Sequence, residues 1–319
     1  MVKCIGVLTS GGDSPGMNAA VRAVARTALN KGIEVYGVML GYRGLHSGQF
    51  YKFNKHSTRN IINVGGTILK SARFPEFKDK KVREEAIERM KEVGMEALVV
   101  IGGDGSYHGA LELTKMGINC IGIPGTIDND IPDTDYTIGF DTCLNTIVEA
   151  LDRLRDTSGS HQRCTILEVM GRTCGDLAVN AALACGAEIV ITAETGFDEE
   201  DLIAKLTKSK ATDKKHALVV ITEHVTDVHA LAKRVQEKTG FDTRANVLGH
   251  LQRGGRPTAR DRILASRMGI KAVELLEEGK GGLCLGEVEG KIVEEPILEL
   301  FEHHRYVPED LYEDVEKLR

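Results

Sequence analysis

The chain has 319 residues, 42% of them hydrophobic, with 47 acidic against 41 basic side chains and a formal net charge of -6. That length accommodates two ordinary domains with a sizeable core, and the acidic balance argues against a general nucleic-acid or anionic-membrane binder. No apolar run approaches the roughly 18 to 20 residues of a membrane span, so no membrane association is expected.

The first predicted element is the strand-like run "CIGVLT", which leaves no room before it for a signal peptide, so a cytoplasmic protein is expected. A helical stretch over 17–30 and the strand "EVYGVML" follow. In 80–93, Val82, Ala86, Ile87, Met90 and Val93 recur at helical spacing. Then come the strand "ALVVIGG", a helix over 107–116, the strands "NCIGIPG", "TILEVMG", "EIVIT", "ALVVIT" and "ANVLGH", and a helix over 258–278. Strands alternating with helices predict an α/β fold with mostly parallel sheets covered by helices on both faces. No Pro/Gly/Ser linker marks a boundary; two domains are inferred from length, and the pattern alone places a cut near Gly139. Cys4, Cys120, Cys143, Cys164, Cys174, Cys185 and Cys284 are scattered, odd in number and without a CxxC pair, which predicts buried free thiols rather than disulfides or a zinc site.

Most apolar runs end in glycine and a polar group: "TSGGDSPG", "IGGDGS", "PGTIDND", "VMGRTCGD", "ITEH", "GHLQRGGRP". In open α/β sheets ligands bind beyond the carboxyl ends of strands, so these loops are candidates for one site. "GGDGS" at 102–106 lies between strand and helix, where glycines admit close approach of an anion and a helix N-terminus attracts phosphate. A tight strand-to-helix turn also explains the glycines, but not Asp104.

Bound phosphates bring Mg2+, which takes one or two carboxylates, waters and the phosphates themselves. Asp104 and the aspartates of "PGTIDNDIPDTD" supply such oxygens. Asp128 and Asp130 lie nearest the strand end, whereas Asp133 and Asp135, beyond Pro132, read as solvated. Turn chemistry is the competing explanation of the loop. Arg73, Arg172 and Arg253 stand beside loop glycines, prolines or strand ends, as required to stabilise charge on a transferring phosphoryl group. There is no GxxxxGK[ST], and the spacing Gly103-x-Gly105-x-x-x-Gly109 misses the dinucleotide fingerprint by one residue. A nicotinamide oxidoreductase leaves the acidic loop unexplained, and a catalytically silent nucleotide sensor would not need Asp104, Asp128 and Asp130 together.

Taken in order, "GVLTSGGDSPGMNAAVR", "SARFPEF", "VVIGGDGSYHGA", "PGTIDNDIP", "TIGFDT", "VMGR", "VLGHLQRGG" and "DRILASR" resemble the bacterial ATP-dependent 6-phosphofructokinases over essentially the whole chain. The resemblance implies transfer of the ATP γ-phosphoryl group to O1 of fructose 6-phosphate, the committed step of glycolysis. It implies two three-layer α/β/α domains with the active site in the cleft between them, 1–139 plus 253–305 binding ATP and 140–252 plus 306–319 binding the sugar phosphate. Asp128 matches the base for the 1-hydroxyl, with Thr126 beside it; Asp104 and Asp130 match the magnesium carboxylates; Gly12, Arg73 and Arg172 match groups around the transferring phosphate. Gly103, Gly105, Ser106 and Gly109 match the nucleotide loop, with Tyr42, Phe74 and the Phe77–Lys78 neighbourhood near the nucleotide.

By the same resemblance, Met170, Gly171, Glu223, His250 and Arg253 hold the sugar phosphate, joined by Arg163 and Arg244 from an adjacent subunit of a homotetramer. Gly105 and Gly125 stand where pyrophosphate-dependent relatives usually carry Asp and Lys, which favours ATP as donor. Arg22, Arg26, Lys55, Arg155, Lys214, Lys215 and His216, with Glu188, match an effector pocket where ADP activates and phosphoenolpyruvate inhibits. Departures from the pattern are Thr212 and Asp213 in that pocket, Arg59–Asn60 nearby, and His224, which follows Glu223 where relatives usually have glycine.

Overall fold

The computed structural model describes residues 2–211 and 215–318. In chain order its elements are β1 (Cys4–Thr9), α1 (Met17–Asn30), β2 (Glu34–Val38), α2 (Gly41–Ser47), β3 (Phe50–Lys52), α3 (Lys80–Glu92), β4 (Ala97–Gly102), α4 (Asp104–Lys115), β5 (Asn119–Thr126) and β6 (Ile138–Gly139). They continue as α5 (Phe140–His161), β7 (Arg163–Val169), α6 (Asp176–Cys185), β8 (Ile189–Ile191), α7 (Glu199–Ala211), β9 (Ala217–Thr222), α8 (Val228–Thr239) and β10 (Asp242–Val247). The last are α9 (Ala259–Glu277), β11 (Leu283–Val288), β12 (Lys291–Pro296), α10 (Ile297–Leu300) and α11 (Glu309–Leu318). No helix among the described residues is long and apolar enough to cross a membrane.

The chain divides into two compact units, Met1–Thr142 with Arg253–Arg305 and Cys143–Gln252 with Tyr306–Arg319. In the first, the sheet runs β12-β11-β5-β4-β1-β2-β3, with β6 beside the end of β5. Its central pairs are parallel, and the antiparallel pairs lie at the edges, β2 with β3 and β11 with β12. β1 and β4 are buried along their whole length because alternate residues feed two cores. Ile5, Val7, Val99 and Ile101 face α1 and α9, while Leu8, Leu98 and Val100 face the layer containing Met90 and Tyr107. α1 and α9 pack so closely that a Cβ at Gly269 would stand 2.6 Å from Ala23 Cβ and 3.0 Å from Ala20 O.

The second unit carries the parallel sheet β10-β7-β9-β8. Ile166, Ile189, Val219 and Ile221 pack against Leu202 and Leu206 of α7 and Leu231 and Val235 of α8. The alternate residues Leu167, Val169, Leu218 and Val220 are equally buried, with α6 and α11 on β8 and α6 on β9. Each unit is therefore a three-layer α/β/α arrangement.

Three elements depart from the periodicity. β10 begins at Asp242, ahead of the apolar run "ANVLGH", because it is an edge strand whose half-exposed residues carry no continuous apolar signal. α4 begins at Asp104, not 107: Gly103 provides an extended N-cap and Asp104 complements the positive helix end, offsetting the poor propensity of Gly105. The β11–β12 hairpin turns at Glu289 and Gly290, both at positive φ, as a two-residue type I′ turn demands. None of the cysteines forms a disulfide among the described residues; they are buried except for Cys185, and burial pushes the Cys120, Cys164 and Cys284 thiols up to about 12.

Overpacking the α1–α9 contact is expected to be felt directly. Gly269→Val should destabilise the fold by about 1–3 kcal/mol, read as a lower midpoint in urea unfolding; an unchanged midpoint would show that the helices separate freely.

Candidate active site

The acidic loop leaves the sheet at the end of β5 and returns as β6, which pairs in parallel with it, Gly125 opposite Ile138 and Thr126 opposite Gly139. Thr126 Oγ1 accepts from Asp128 N (3.2 Å), and Thr137 Oγ1 donates to Thr126 O (2.7 Å). Between them Asn129 adopts a left-handed conformation (φ 55°), its Oδ1 accepting from Thr137 N (2.9 Å) and its Nδ2 donating to Asp135 O (3.2 Å). Asp128 and Asn129 are consequently buried, at 4% and 6% exposure. The loop is folded upon itself rather than splayed into water.

Asp133 and Asp135, expected to be solvated, do lie at the surface, Asp135 exposed and Asp133 half-buried, and each also finds a partner. Asp133 bonds His303, which follows α10, and Asp135 Oδ2 accepts from Glu289 N (2.8 Å) in the hairpin turn. Both partners are more than 150 residues away in sequence, so the local turn signal around Pro132 says nothing about them.

Asp104 and Asp130 line one cavity of about 250 Å³ together with Tyr107, Ile131, Pro132 and the 300–305 segment. Two hard carboxylates on a shared wall suit Mg2+ that arrives with phosphates and water. No preformed cluster of three His, Cys, Asp or Glu residues exists among the described residues. The donor set therefore fits magnesium carried in by a nucleotide better than a resident, fully caged metal.

The neighbouring glycine loops are held by side chains behind them. Asp104 and Gly105 are exposed in the first turn of α4. Tyr42, expected near the nucleotide, is buried; its hydroxyl donates to Ser106 O (2.5 Å) and its ring stacks on Phe77 (centroids 4.3 Å). A Cβ at Gly109 would meet that ring at 2.5 Å, so glycine there is what lets Tyr42 support the turn. Phe74 is half-buried beside Phe77, and Arg73 is exposed. Ser71 Oγ donates to Gly11 O (2.5 Å) and Thr9 Oγ1 to Lys70 O (2.9 Å), which clamps the segment leading to Arg73 onto the Gly11–Gly12 turn. The Arg253 guanidinium occupies the space where a Cβ of Gly12 would lie, which joins Arg253 to this turn.

In the second unit, Met170 N donates to Gln252 Oε1 (3.0 Å) and Arg172 N to Glu223 Oε1 (3.2 Å), so Met170, Gly171, Arg172 and Glu223 are brought together. Gly171 has φ 137° and Arg172 φ 55°. His224 takes φ 67°, the conformation a glycine would adopt, at a cost of about 1–2 kcal/mol. His250 is exposed on the short helical turn Gly249–Arg253. Arg163 and Arg244 share a partner absent from the sequence reading: Asp242, which bonds Arg163 Nε (2.5 Å) and pairs with Arg244 Nη1 (2.6 Å). The Arg163 hydrogen bond, more than the charge of Arg244, holds the Asp242 carboxyl below its usual range. Asp242 faces Arg163 through parallel strand register, which no local spacing announces.

Of the expected effector residues, Arg22 and Arg26 are successive on α1, and burial together with the Arg26 charge lowers Arg22. Lys55 and Lys215 are exposed and His216 is half-buried. Arg155 caps the end of α6 through Cys185 O and Gly186 O, and Glu188 is buried, accepting from Leu218 N (2.5 Å). Lys214, Thr212 and Asp213 lie outside the described residues.

A family model described as Phosphofructokinase matches residues 4–276. The chain is 60% identical over 319 residues to the ATP-dependent 6-phosphofructokinase of Photobacterium profundum, covering 100% of both chains. It is 60% identical to that of Tolumonas auensis, covering 98% of both. Among solved structures, Pichia pastoris phosphofructokinase in the T-state aligns with TM-score 0.90 at 33% identity, over 100% of this chain and 40% of that longer one. The pyrophosphate-dependent phosphofructokinase of Marinobacter aquaeolei aligns with TM-score 0.88 at 25% identity, over 99% and 91%.

The Asp133 hydrogen bond raises His303 above its ordinary value near 6.5. A raised histidine contributes stability fully below its unfolded value, and loses it as pH rises through the folded one. NMR titration should place His303 above 6.5, and Asp133→Asn should return it toward that value; an unshifted His303 would show that this tie does not form.

Proposed function

Because the chain belongs to the phosphofructokinase family, we propose that it is an ATP-dependent 6-phosphofructokinase that converts fructose 6-phosphate and ATP to fructose 1,6-bisphosphate and ADP. The observation that carries this reading is the acidic loop, in which Asp128 is buried with its N–H on Thr126 Oγ1 and Asp130, two residues on, lines a cavity with Asp104.

Asp128 accepts the proton of the sugar 1-hydroxyl as that oxygen attacks phosphorus, and its burial keeps bulk water from competing for the base. Thr126 sits at the transferred group, and the Gly12 turn and the α4 N-terminus present backbone N–H groups to the nucleotide phosphates. Magnesium, held by Asp104 and Asp130, supplies charge neutralisation on the phosphoryl oxygens when bound. Arg73 and Arg172 stabilise the same charge from the protein side. Gly103, Gly105, Ser106 and Gly109, with Phe74 and the support of Tyr42, take the nucleotide in the first unit.

Met170, Gly171, Glu223, His250 and Arg253 bind the sugar phosphate, with Arg163 and Arg244 serving an adjacent subunit of a homotetramer in the cytoplasm. ADP and phosphoenolpyruvate act at Arg22, Arg26, Lys55, Arg155, Glu188, Lys214, Lys215 and His216. ATP rather than pyrophosphate is the donor. The support is Gly105, whose missing Cβ points into open space at the α4 N-terminus, whereas the Cβ direction of Gly125 faces Ile101 and Met17. An acidic side chain at 105 would occupy the region a nucleotide needs.

A coupled assay for fructose 1,6-bisphosphate should show activity with ATP and Mg2+ and little with pyrophosphate; the reverse preference would overturn the donor assignment. Asp128→Asn is expected to lower kcat by about 10²- to 10⁴-fold with the fructose 6-phosphate KM nearly unchanged. Near-native turnover in that variant would remove Asp128 from the mechanism. Gly105→Asp should fold normally, its Cβ meeting nothing within 4 Å, yet raise the ATP KM by roughly tenfold or more through repulsion of the phosphates.

A further inference from the structure

Asp261 is a buried carboxylate with no part in the reading above. It is 1% exposed, in the first turn of α9, and three donors converge on its two oxygens. Gly139 N donates to Oδ1 (2.9 Å), while Thr142 N (2.9 Å) and Thr142 Oγ1 (2.5 Å) donate to Oδ2. Thr142 Oγ1 in turn accepts from Thr258 N (2.9 Å), and the Thr258 hydroxyl accepts from Asp261 N (3.3 Å) as the cap of α9. The carboxylate thus locks the start of α9 to the end of β6 and the start of α5.

β6 is two residues long and cannot hold its own place. Besides its pairing with Gly125 and Thr126, it is gripped by Ser14, whose Oγ donates to Ile138 O (2.9 Å). Gly16 also presses on it, since a Cβ there would stand 2.6 Å from Ile138 Cγ2. Asp261 supplies a further hold, on Gly139, directly across the ladder from Thr126.

We propose that Asp261 is a positioning residue for phosphoryl transfer: by fixing Gly139 and Thr142 it sets β6, and through β6 the placement of Thr126 and Asp128. The proposal rests on the assignment of Asp128 above. A carboxyl group is what the geometry requires, because an amide turned either way would set its own N–H₂ against a backbone donor. Burial, outweighing these hydrogen bonds, pushes the Asp261 carboxyl above its ordinary value. A carboxyl raised on folding contributes stability below the ordinary carboxylate range and loses it as pH rises through the folded value, so at neutral pH its charge costs stability. Positioning, not stability, is the role that such a charge fits.

The test compares the native chain with Asp261→Asn, Thr142→Val and Thr142→Ser, measuring kcat and both KM values at a temperature where near-UV circular dichroism shows each variant folded. Asp261→Asn and Thr142→Val should lose about tenfold to a hundredfold in kcat, as for a misplacement of the order of an ångström. Neither KM should move more than about twofold, and Thr142→Ser, which keeps the hydroxyl, should restore turnover. If Asp261→Asn does not fold, the Thr142 pair decides. Native turnover in a folded Asp261→Asn or Thr142→Val, or a Thr142→Ser as impaired as the valine, overturns the positioning role while leaving the kinase reading intact. A native chain without phosphofructokinase activity overturns both.

Discussion

The pairing of Gly125 and Thr126 with Ile138 and Gly139 is the constraint on which the acidic loop depends. A parallel sheet delivers backbone to its carboxyl edge and then must let it go; without a return strand, a loop carrying four aspartates would relax outward to separate its charges. β6 closes the loop within the sheet that opened it. The interior is then completed by Asn129, whose amide replaces the backbone partners the turn lacks, and by Thr137, which bonds the last carbonyl of β5. The hydrogen bonds around Asp128 thus fix the course of the loop that carries it.

Charge is handled differently along this one segment. Asp128 is taken into the protein, Asp104 and Asp130 share a cavity wall, and Asp133 and Asp135 are tied to His303 and to the hairpin turn at Glu289. Asp261 extends the same logic, a buried carboxyl group whose two oxygens accept from donors of the fold. Asp242 repeats it at the surface, pairing with both Arg163 and Arg244.

Glycine works at these loops through two distinct physical effects. Gly109 and Gly12 are needed for close approach, because the Tyr42 ring and the Arg253 guanidinium fill the volume of a Cβ. Gly171 combines both, with φ 137° and a Cβ position 2.4 Å from Cys174 O, whereas His224 at φ 67° shows that a residue with a side chain accepts a positive φ here.

The sequence by itself determined the α/β alternation, the parallel sheets and the loops that carry chemistry. Strands buried on both faces are written as continuous apolar runs, and loops at their ends as glycine with charge, and both signals are local. It gave no warning of where β10 begins, since an edge strand lacks that run, nor of the partners of Asp133 and Asp135. The tertiary structure alone decided that Asp242 lies opposite Arg163, that Arg253 packs on Gly12, and that Asp261 holds Gly139 from 122 residues away. Strand register and long-range hydrogen bonds are set by how elements pack, and no periodicity along the chain encodes them.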